Sequence, residues 1–268
     1  MSTHVFYLAP TGPSVGLTSV SLGLVRALDQ MGLRVRFYKP IAQTSGVNPS
    51  KTPTDGASSQ KERSSHFIRE LTNLNPPDPL DFHHVEVLLS EGKSSQLMSE
   101  IIETFNQVKS NTQDNAEVVV VEGLVTRSSE PYADTLNAEI VQTLGAEVIL
   151  VASMGKGDVG QLEERIELTA QLYGGIGDAK LLGCIVNKLN APVQLSALGS
   201  ILPEPPRAIE ESLTEETLLE RCSMFGNTFK LIGAVPWQPN LVSPRTKDVA
   251  SFLNAQVLIA GDIDSRRV

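Results

Sequence analysis

Four consecutive valines, Val118-Val119-Val120-Val121, constrain this chain more than any other feature. Successive side chains on a β-strand point to opposite faces, so a run with no polar position must be buried on both sides. That requires a sheet covered by helices above and below. The rest of the sequence supplies the pieces. Short apolar runs at 5–8, 34–38, 117–121, 147–152, 181–187 and 231–235 alternate with stretches of helical period at 18–31, 60–74, 95–109, 133–144 and 160–172. The expected fold is α/β, a doubly wound, mostly parallel sheet with helices on both faces and the valine strand at its centre. Gly32 is placed to close the first helix. The polar stretch 42–59 reads as a surface loop, and 191–227 as an insertion with an acidic helix over 210–221. A final helix–strand pair is expected over 246–260. Residues 1–260 are read as one domain and the polar segment 261–268 as the start of a linker.

Charge narrows the function. With 22 Lys+Arg against 31 Asp+Glu, the formal net charge is 22 − 31 = −9, which argues against a nucleic-acid partner or an anionic membrane surface. No apolar run approaches the roughly 20 residues of a membrane span, and the start, Met-Ser-Thr-His-Val, lacks the pattern of a secretory signal. The two cysteines, Cys184 and Cys222, have no metal-ligand or redox spacing. A cytoplasmic, reducing setting is the expectation. His83-His84 follows a proline-rich turn and has no helix-spaced partner to make a metal site.

The chemistry gathers where strands should end. After the first strand comes Thr11-Gly12-Pro13-Ser14-Val15-Gly16-Leu17-Thr18, at the place where backbone N–H groups and a helix N-terminus can surround a phosphate. Against the pattern G-x-x-x-x-G-K-[ST], Gly16 and Thr18 are retained. Thr11 replaces the first glycine and Leu17 replaces the lysine. That lysine steadies the β- and γ-phosphates during transfer, so the sequence argues against ATP turnover and leaves nucleotide or anion binding open. A plain glycine-bearing turn is the competing account. Lys39 ends the second strand and can supply part of the missing charge, or lie solvated. Glu122 ends the valine strand, placed for Mg²⁺ alongside Thr18, or solvated beyond the sheet edge. Asn187 and Lys188 end another strand. An asparagine amide offers both a donor and an acceptor to a base edge, and serves equally well as a turn former.

Together with Tyr38-Lys39-Pro40-Ile41-Ala42, Val121-Glu122-Gly123-Leu124, Val186-Asn187-Lys188-Leu189-Asn190-Ala191-Pro192, Gly233-Ala234-Val235-Pro236-Trp237 and the final 261–268, the loop 10–20 resembles the N-terminal domain of long-form bacterial phosphate acetyltransferases. The likeness weakens over 45–82 and 193–229. Leucine at the lysine position belongs to that family's pattern. The domain in turn resembles dethiobiotin synthetase, an ATP-dependent P-loop enzyme. That resemblance implies Thr18 and Glu122 as the metal side, Lys39 as a second, substrate-side lysine and Asn187 near the adenine. It also implies a regulatory and oligomer-stabilising domain responsive to small-molecule metabolites such as ATP, with acetyl transfer carried out by other domains of the same protein. The alternative is a self-contained ATP-dependent synthetase, from which Leu17 departs at the key position.

Overall fold

The structure is a computed structural model and describes residues 3–43, 62–110, 116–127, 130, 132–154, 158–191, 213–238, 245–259 and 261–266. The expected loop over 42–59 lies almost wholly outside these residues, as do 192–212 of the expected insertion and the end of the expected linker.

Six strands form the sheet: β1 (His4–Pro10), β2 (Val35–Tyr38), β3 (Val118–Glu122), β4 (Glu147–Ser153), β5 (Leu181–Leu189) and β6 (Lys230–Pro236). Their order is β2-β3-β1-β4-β5-β6, and every pairing is parallel. All five residues of β3 are buried. The valine strand is thus interior as its composition requires, though one place in from the β2 edge rather than central. Parallel strands need crossovers, and eight helices are described: α1 (Leu17–Gln30), α2 (Arg63–Leu71), α3 (Phe82–Ser90), α4 (Ser94–Ser110), α5 (Ala133–Leu144), α6 (Val159–Gln171), α7 (Glu215–Arg221) and α8 (Thr246–Phe252).

The two-residue period of the strands divides the core into two layers. Tyr7, Ala9, Val119, Val121, Leu150 and Val186 face Leu97 and Ile101 of α4, Ile140 of α5 and Leu162 of α6. Leu8, Phe37, Val118, Val120, Val151 and Ile185 face Leu17, Val20 and Val25 of α1 and Ile68 of α2. Alternate valines of β3 therefore serve different layers, and no position in the run is left for a polar residue. Gly32 ends α1 with φ 81°, its N–H donating to Asp29 O at 2.9 Å and Leu33 N–H to Leu28 O at 3.3 Å. Both bonds satisfy carbonyls that the helix end would orphan.

Two expectations are corrected. Helix α3 is additional to the expected helices, since the prolines at 76, 77 and 79 read as a turn, followed by His83-His84, with the next helix near 95–109. The Asp81 carboxylate instead accepts from His83 N–H at 2.9 Å and His84 N–H at 3.3 Å, starting a helix there. The strand expected after α8 is absent from the described residues. Val257, Leu258 and Ile259 are 48 %, 85 % and 90 % exposed, and none of them sits beside another strand, without which extended backbone has no partner for its N–H and C=O groups. Helix α8 has no buried residue, and its links run to its own C-terminal flank: Thr246 N–H to Arg266 O and Lys247 to Asp264. No described helix is long and apolar enough to cross a membrane. Cys184 and Cys222 are buried and free. Burial pushes both thiols up, Cys222 to about 11, so neither is a ready nucleophile.

Candidate functional site

The carboxyl ends of β1, β2, β3 and β5 bring together every residue that the sequence nominates. The loop leaving β1 begins with Thr11, whose N–H extends the β1–β4 ladder to Val151 O at 2.9 Å. The amide of Thr11 is therefore engaged within the sheet. Beyond it the chain turns through Gly12 (φ 158°), Ser14 (φ 60°) and Gly16 (φ 81°). Left-handed residues at Ser14 and Gly16, flanking Val15, make the kind of bend from which backbone anion nests are built. Helix α1 starts immediately, with Gly16 as its N-cap and no side-chain cap bond. Its first N–H groups, positive by the helix dipole, face the loop without a side-chain acceptor.

Val15 and Leu17, both 4 % exposed, point away from the loop into the α1-side core layer. At the position where a P-loop lysine would reach for phosphate, the chain instead anchors its own helix in the core. Burying that leucine is worth about 1.5–3 kcal/mol, a stabilising use of the site that a charged side chain would forfeit.

The end of β5 braces the loop from the other side. Asn187 donates from Nδ2 to Val15 O at 2.9 Å, and Lys188 donates from Nζ to Ser14 O at 2.7 Å. Asn187, 7 % exposed, thus commits an amide N–H to loop backbone. Gly16 must be glycine for two reasons. Its φ is left-handed, and a Cβ there would stand 2.4 Å from Asn187 Nδ2. Gly16→Ala is expected to cost about 1–2 kcal/mol of stability from the strained backbone alone and to push the loop off Asn187. Thermal melts together with phosphate-ligand titrations check this, the expected result being a lower midpoint and binding weakened by roughly tenfold. Unchanged values for both would show that the loop geometry is irrelevant.

Under the loop lies a buried polar chain. Lys39, 3 % exposed, donates from Nζ to Glu122 Oε1 at 3.1 Å and to Gly123 O at 2.6 Å. Ser64 Oγ donates to the same Glu122 Oε1 at 2.6 Å and lies 2.8 Å from Thr18 Oγ1. Glu122 is 2 % exposed, and its Oε2 has no hydrogen-bond partner among the described residues. Gly123 makes the corner possible, since a Cβ there would fall 2.8 Å from Leu8 O and from the Tyr7 ring. Lys39 and Glu122 are thus neither of the solvated strand-end residues that the sequence left open.

Sequence reading missed Ser64, which lies in the first turn of α2, two residues after the capping acid Glu62. Glu62 accepts from Ser64 N–H at 2.9 Å and from Ser65 N–H at 2.7 Å. Ser65 Oγ is buried without a partner. The available signal was the Glu-Arg-Ser-Ser run at a helix start, obscured by the loop composition before it. Gln43 was also missed. It clasps the loop after β3, accepting from Val125 N–H at 2.7 Å and donating to Glu130 at 2.6 Å. His84 bonds Glu100 at 2.8 Å, which holds that carboxyl below its usual range.

As a donor set the cluster fits a magnesium ion. It offers a threonine hydroxyl and a buried carboxylate with one oxygen unpartnered, the hard oxygen ligands that this cation takes. The ammonium of Lys39 already balances Glu122, so a divalent ion would bring excess charge unless an anion such as phosphate accompanied it.

Comparison with known proteins places the chain. A family model described as AAA domain matches residues 4–245. The phosphate acetyltransferase of Pseudomonas putida is 40 % identical over 265 residues, covering 99 % of this chain and 34 % of that protein. The Escherichia coli phosphate acetyltransferase is 39 % identical over 274 residues, covering 99 % and 35 %. The chain therefore spans about a third of the length of the curated relatives it matches. Among solved structures, a protein described as a plasmid partition protein from Borrelia burgdorferi, bound to AMPPNP, superposes with a TM-score of 0.50. It is 13 % identical, covers 90 % of both chains and bears on the fold alone. That fold is of the P-loop NTPase type.

Proposed function

The chain belongs to the AAA-domain family and is similar along its length to part of the phosphate acetyltransferases, and from that premise we propose that it is a regulatory and assembly domain of such an enzyme. In this reading it binds a nucleotide or related phosphate ligand in a P-loop that has lost turnover. The transfer of acetyl between acetyl-CoA and phosphate belongs to the remaining two thirds of the longer protein. One observation carries the reading: Leu17, at the lysine position, is part of the core, while the loop around it keeps its left-handed turns and its uncapped helix start.

The backbone of Gly12, Ser14, Val15, Gly16, Leu17 and Thr18 would hold phosphate oxygens. Asn187 and Lys188 hold that backbone in place, with the Asn187 side of the loop nearest to a base. Thr18 and Glu122 would hold Mg²⁺, which would offset the negative charge of the phosphates. Without the loop lysine, binding forgoes a charge-assisted contact worth about 1.5–3 kcal/mol. The transition state forgoes more, because charge develops there. Lys39 is no simple replacement, since its ammonium is tied to Glu122 and to Gly123 O. A self-contained synthetase would need both lysines free to meet phosphate.

The experiment is an acetyl-transfer assay in two forms. Given acetyl-CoA and phosphate, the chain alone should release no CoA. In the longer enzyme, ATP with Mg²⁺ should change the rate when Gly16 is present, and when it is alanine the same change should need roughly tenfold more ATP. CoA release by this chain, or an ATP response indifferent to Gly16→Ala, would overturn the reading.

A further inference from the structure

Glu122 Oε1 is crowded and its Oε2 is empty. Oε1 receives Lys39 Nζ at 3.1 Å and Ser64 Oγ at 2.6 Å, whereas Oε2, within a side chain 2 % exposed, receives nothing among the described residues. A buried carboxylate oxygen without a partner loses its hydration and gains nothing in return, and here it belongs to the polar chain under the loop that in this reading would meet phosphate.

The bond between Ser64 and Thr18 has a direction fixed by chemistry. A serine hydroxyl has one proton, and Ser64 gives it to Glu122. In the 2.8 Å contact between Thr18 Oγ1 and Ser64 Oγ, Thr18 must then be the donor. Its proton points at Ser64, and its lone pairs point elsewhere. A hydroxyl that ligates a cation needs this arrangement, because the metal takes a lone pair and the proton must leave on the other side. The same Ser64 hydroxyl occupies Oε1 of Glu122, leaving Oε2 as the open oxygen of that carboxylate. A single side chain thus orients both oxygen groups of the candidate cation site.

We infer that Ser64 is a positioning residue for a divalent cation that accompanies a bound nucleotide: it takes the proton of Thr18 and the inner oxygen of Glu122, presenting Thr18 Oγ1 and Glu122 Oε2 to the ion. The inference rests on the nucleotide reading above and deepens it. Ser64 touches neither ion nor nucleotide and acts through its two neighbours. Such outer partners, when removed, typically cost roughly 10–100-fold in metal affinity.

The test is calorimetric titration with ATP, in EDTA and in Mg²⁺, of the wild-type chain, Ser64→Ala, Thr18→Val and the double variant. Mg²⁺ should tighten ATP binding by the wild type at least about tenfold. Ser64→Ala should lose most of that gain while its affinity in EDTA stays within about twofold, which a merely structural defect would not leave intact. Thr18→Val should lose a similar share, and the double variant little more, because the two act as one unit. Should Ser64→Ala fail to fold, Ser64→Cys carries the same test, keeping a slightly larger group in place with a weak donor. A full Mg²⁺ gain in the Ser64 variants, or equal losses with and without Mg²⁺, overturns the inference. ATP binding by the wild type with no Mg²⁺ gain overturns it while the nucleotide reading stands. No ATP binding in either medium overturns both.

Discussion

Replacing Lys39 with methionine should destabilise the fold by on the order of 3–5 kcal/mol, the range expected when one partner of a buried ion pair is removed. The reasoning rests on what is left behind. Lys39 and Glu122 are 3 % and 2 % exposed, and the ammonium is the one cation described against that carboxylate. Methionine fills nearly the same space, so the loss is not a cavity effect. It is the cost of a carboxylate held at the end of β3 with only Ser64 still donating to it. The double variant Lys39→Met/Glu122→Gln removes both charges and should recover much of the loss, a non-additivity that identifies the pair as the cause. Urea denaturation at an unchanged slope measures both values. A single-variant loss under about 1 kcal/mol would mean that water reaches Glu122 and that the pair behaves as a surface one.

The second large effect is expected at Asn137 on α5. Its side chain is 1 % exposed and makes three buried bonds. Oδ1 accepts from Tyr7 Oη at 2.6 Å and from Leu124 N–H at 2.8 Å, and Nδ2 donates to Leu124 O at 2.9 Å. One amide thereby joins β1, α5 and the chain leaving β3, directly after the Glu122-Gly123 corner. Asn137→Ala orphans three polar groups at about 1–3 kcal/mol each, partly relieved by entering water, so a loss on the order of 4 kcal/mol is expected. Tyr7→Phe removes a single bond and should cost about 1 kcal/mol. Burial already pushes the Tyr7 phenol well above its ordinary range, which keeps it a donor throughout the usable pH scale. Near-equal losses for Asn137→Ala and Tyr7→Phe would show that the Leu124 bonds carry no weight. Because Gly123 O receives Lys39, Asn137→Ala should also disturb the ion pair, and the two sites should couple.

What the sequence disclosed was what backbone periodicity and burial dictate. A run of valines admits no polar face, so β3 was legible from four residues, and with it a sheet covered on both sides. Gly16 and Thr18, Lys39, Glu122 and Asn187 were legible because each follows an apolar run and must emerge at the same sheet edge. Their connections were not. Nothing local to Lys39 says that its partner lies 83 residues away, and a serine is too common to nominate Ser64 or its bond to Glu122. Asn137, inside a helix, reads as one polar residue among several, since its value comes from three partners on other elements. Helix α3 was masked by prolines that end before Asp81 caps it. The strand expected after α8 had the right residues and no neighbour to pair with. Periodicity reports which face is buried, and it is silent on whether a partner strand exists.

On the proposed function the loop after β1 binds a nucleotide without cleaving it, which calorimetric titration of the chain with ATP and Mg²⁺, followed by assay of the same sample for ADP and phosphate, puts to the test. Leu17 in the core and Lys39 tied to Glu122 predict a saturable binding isotherm and no ADP above the rate of ATP in buffer. Hydrolysis at enzymatic rates would contradict this, because it would require a phosphate-facing ammonium or guanidinium, and among the described residues Leu17 lies in the core and Lys39 is tied to Glu122 and Gly123 O.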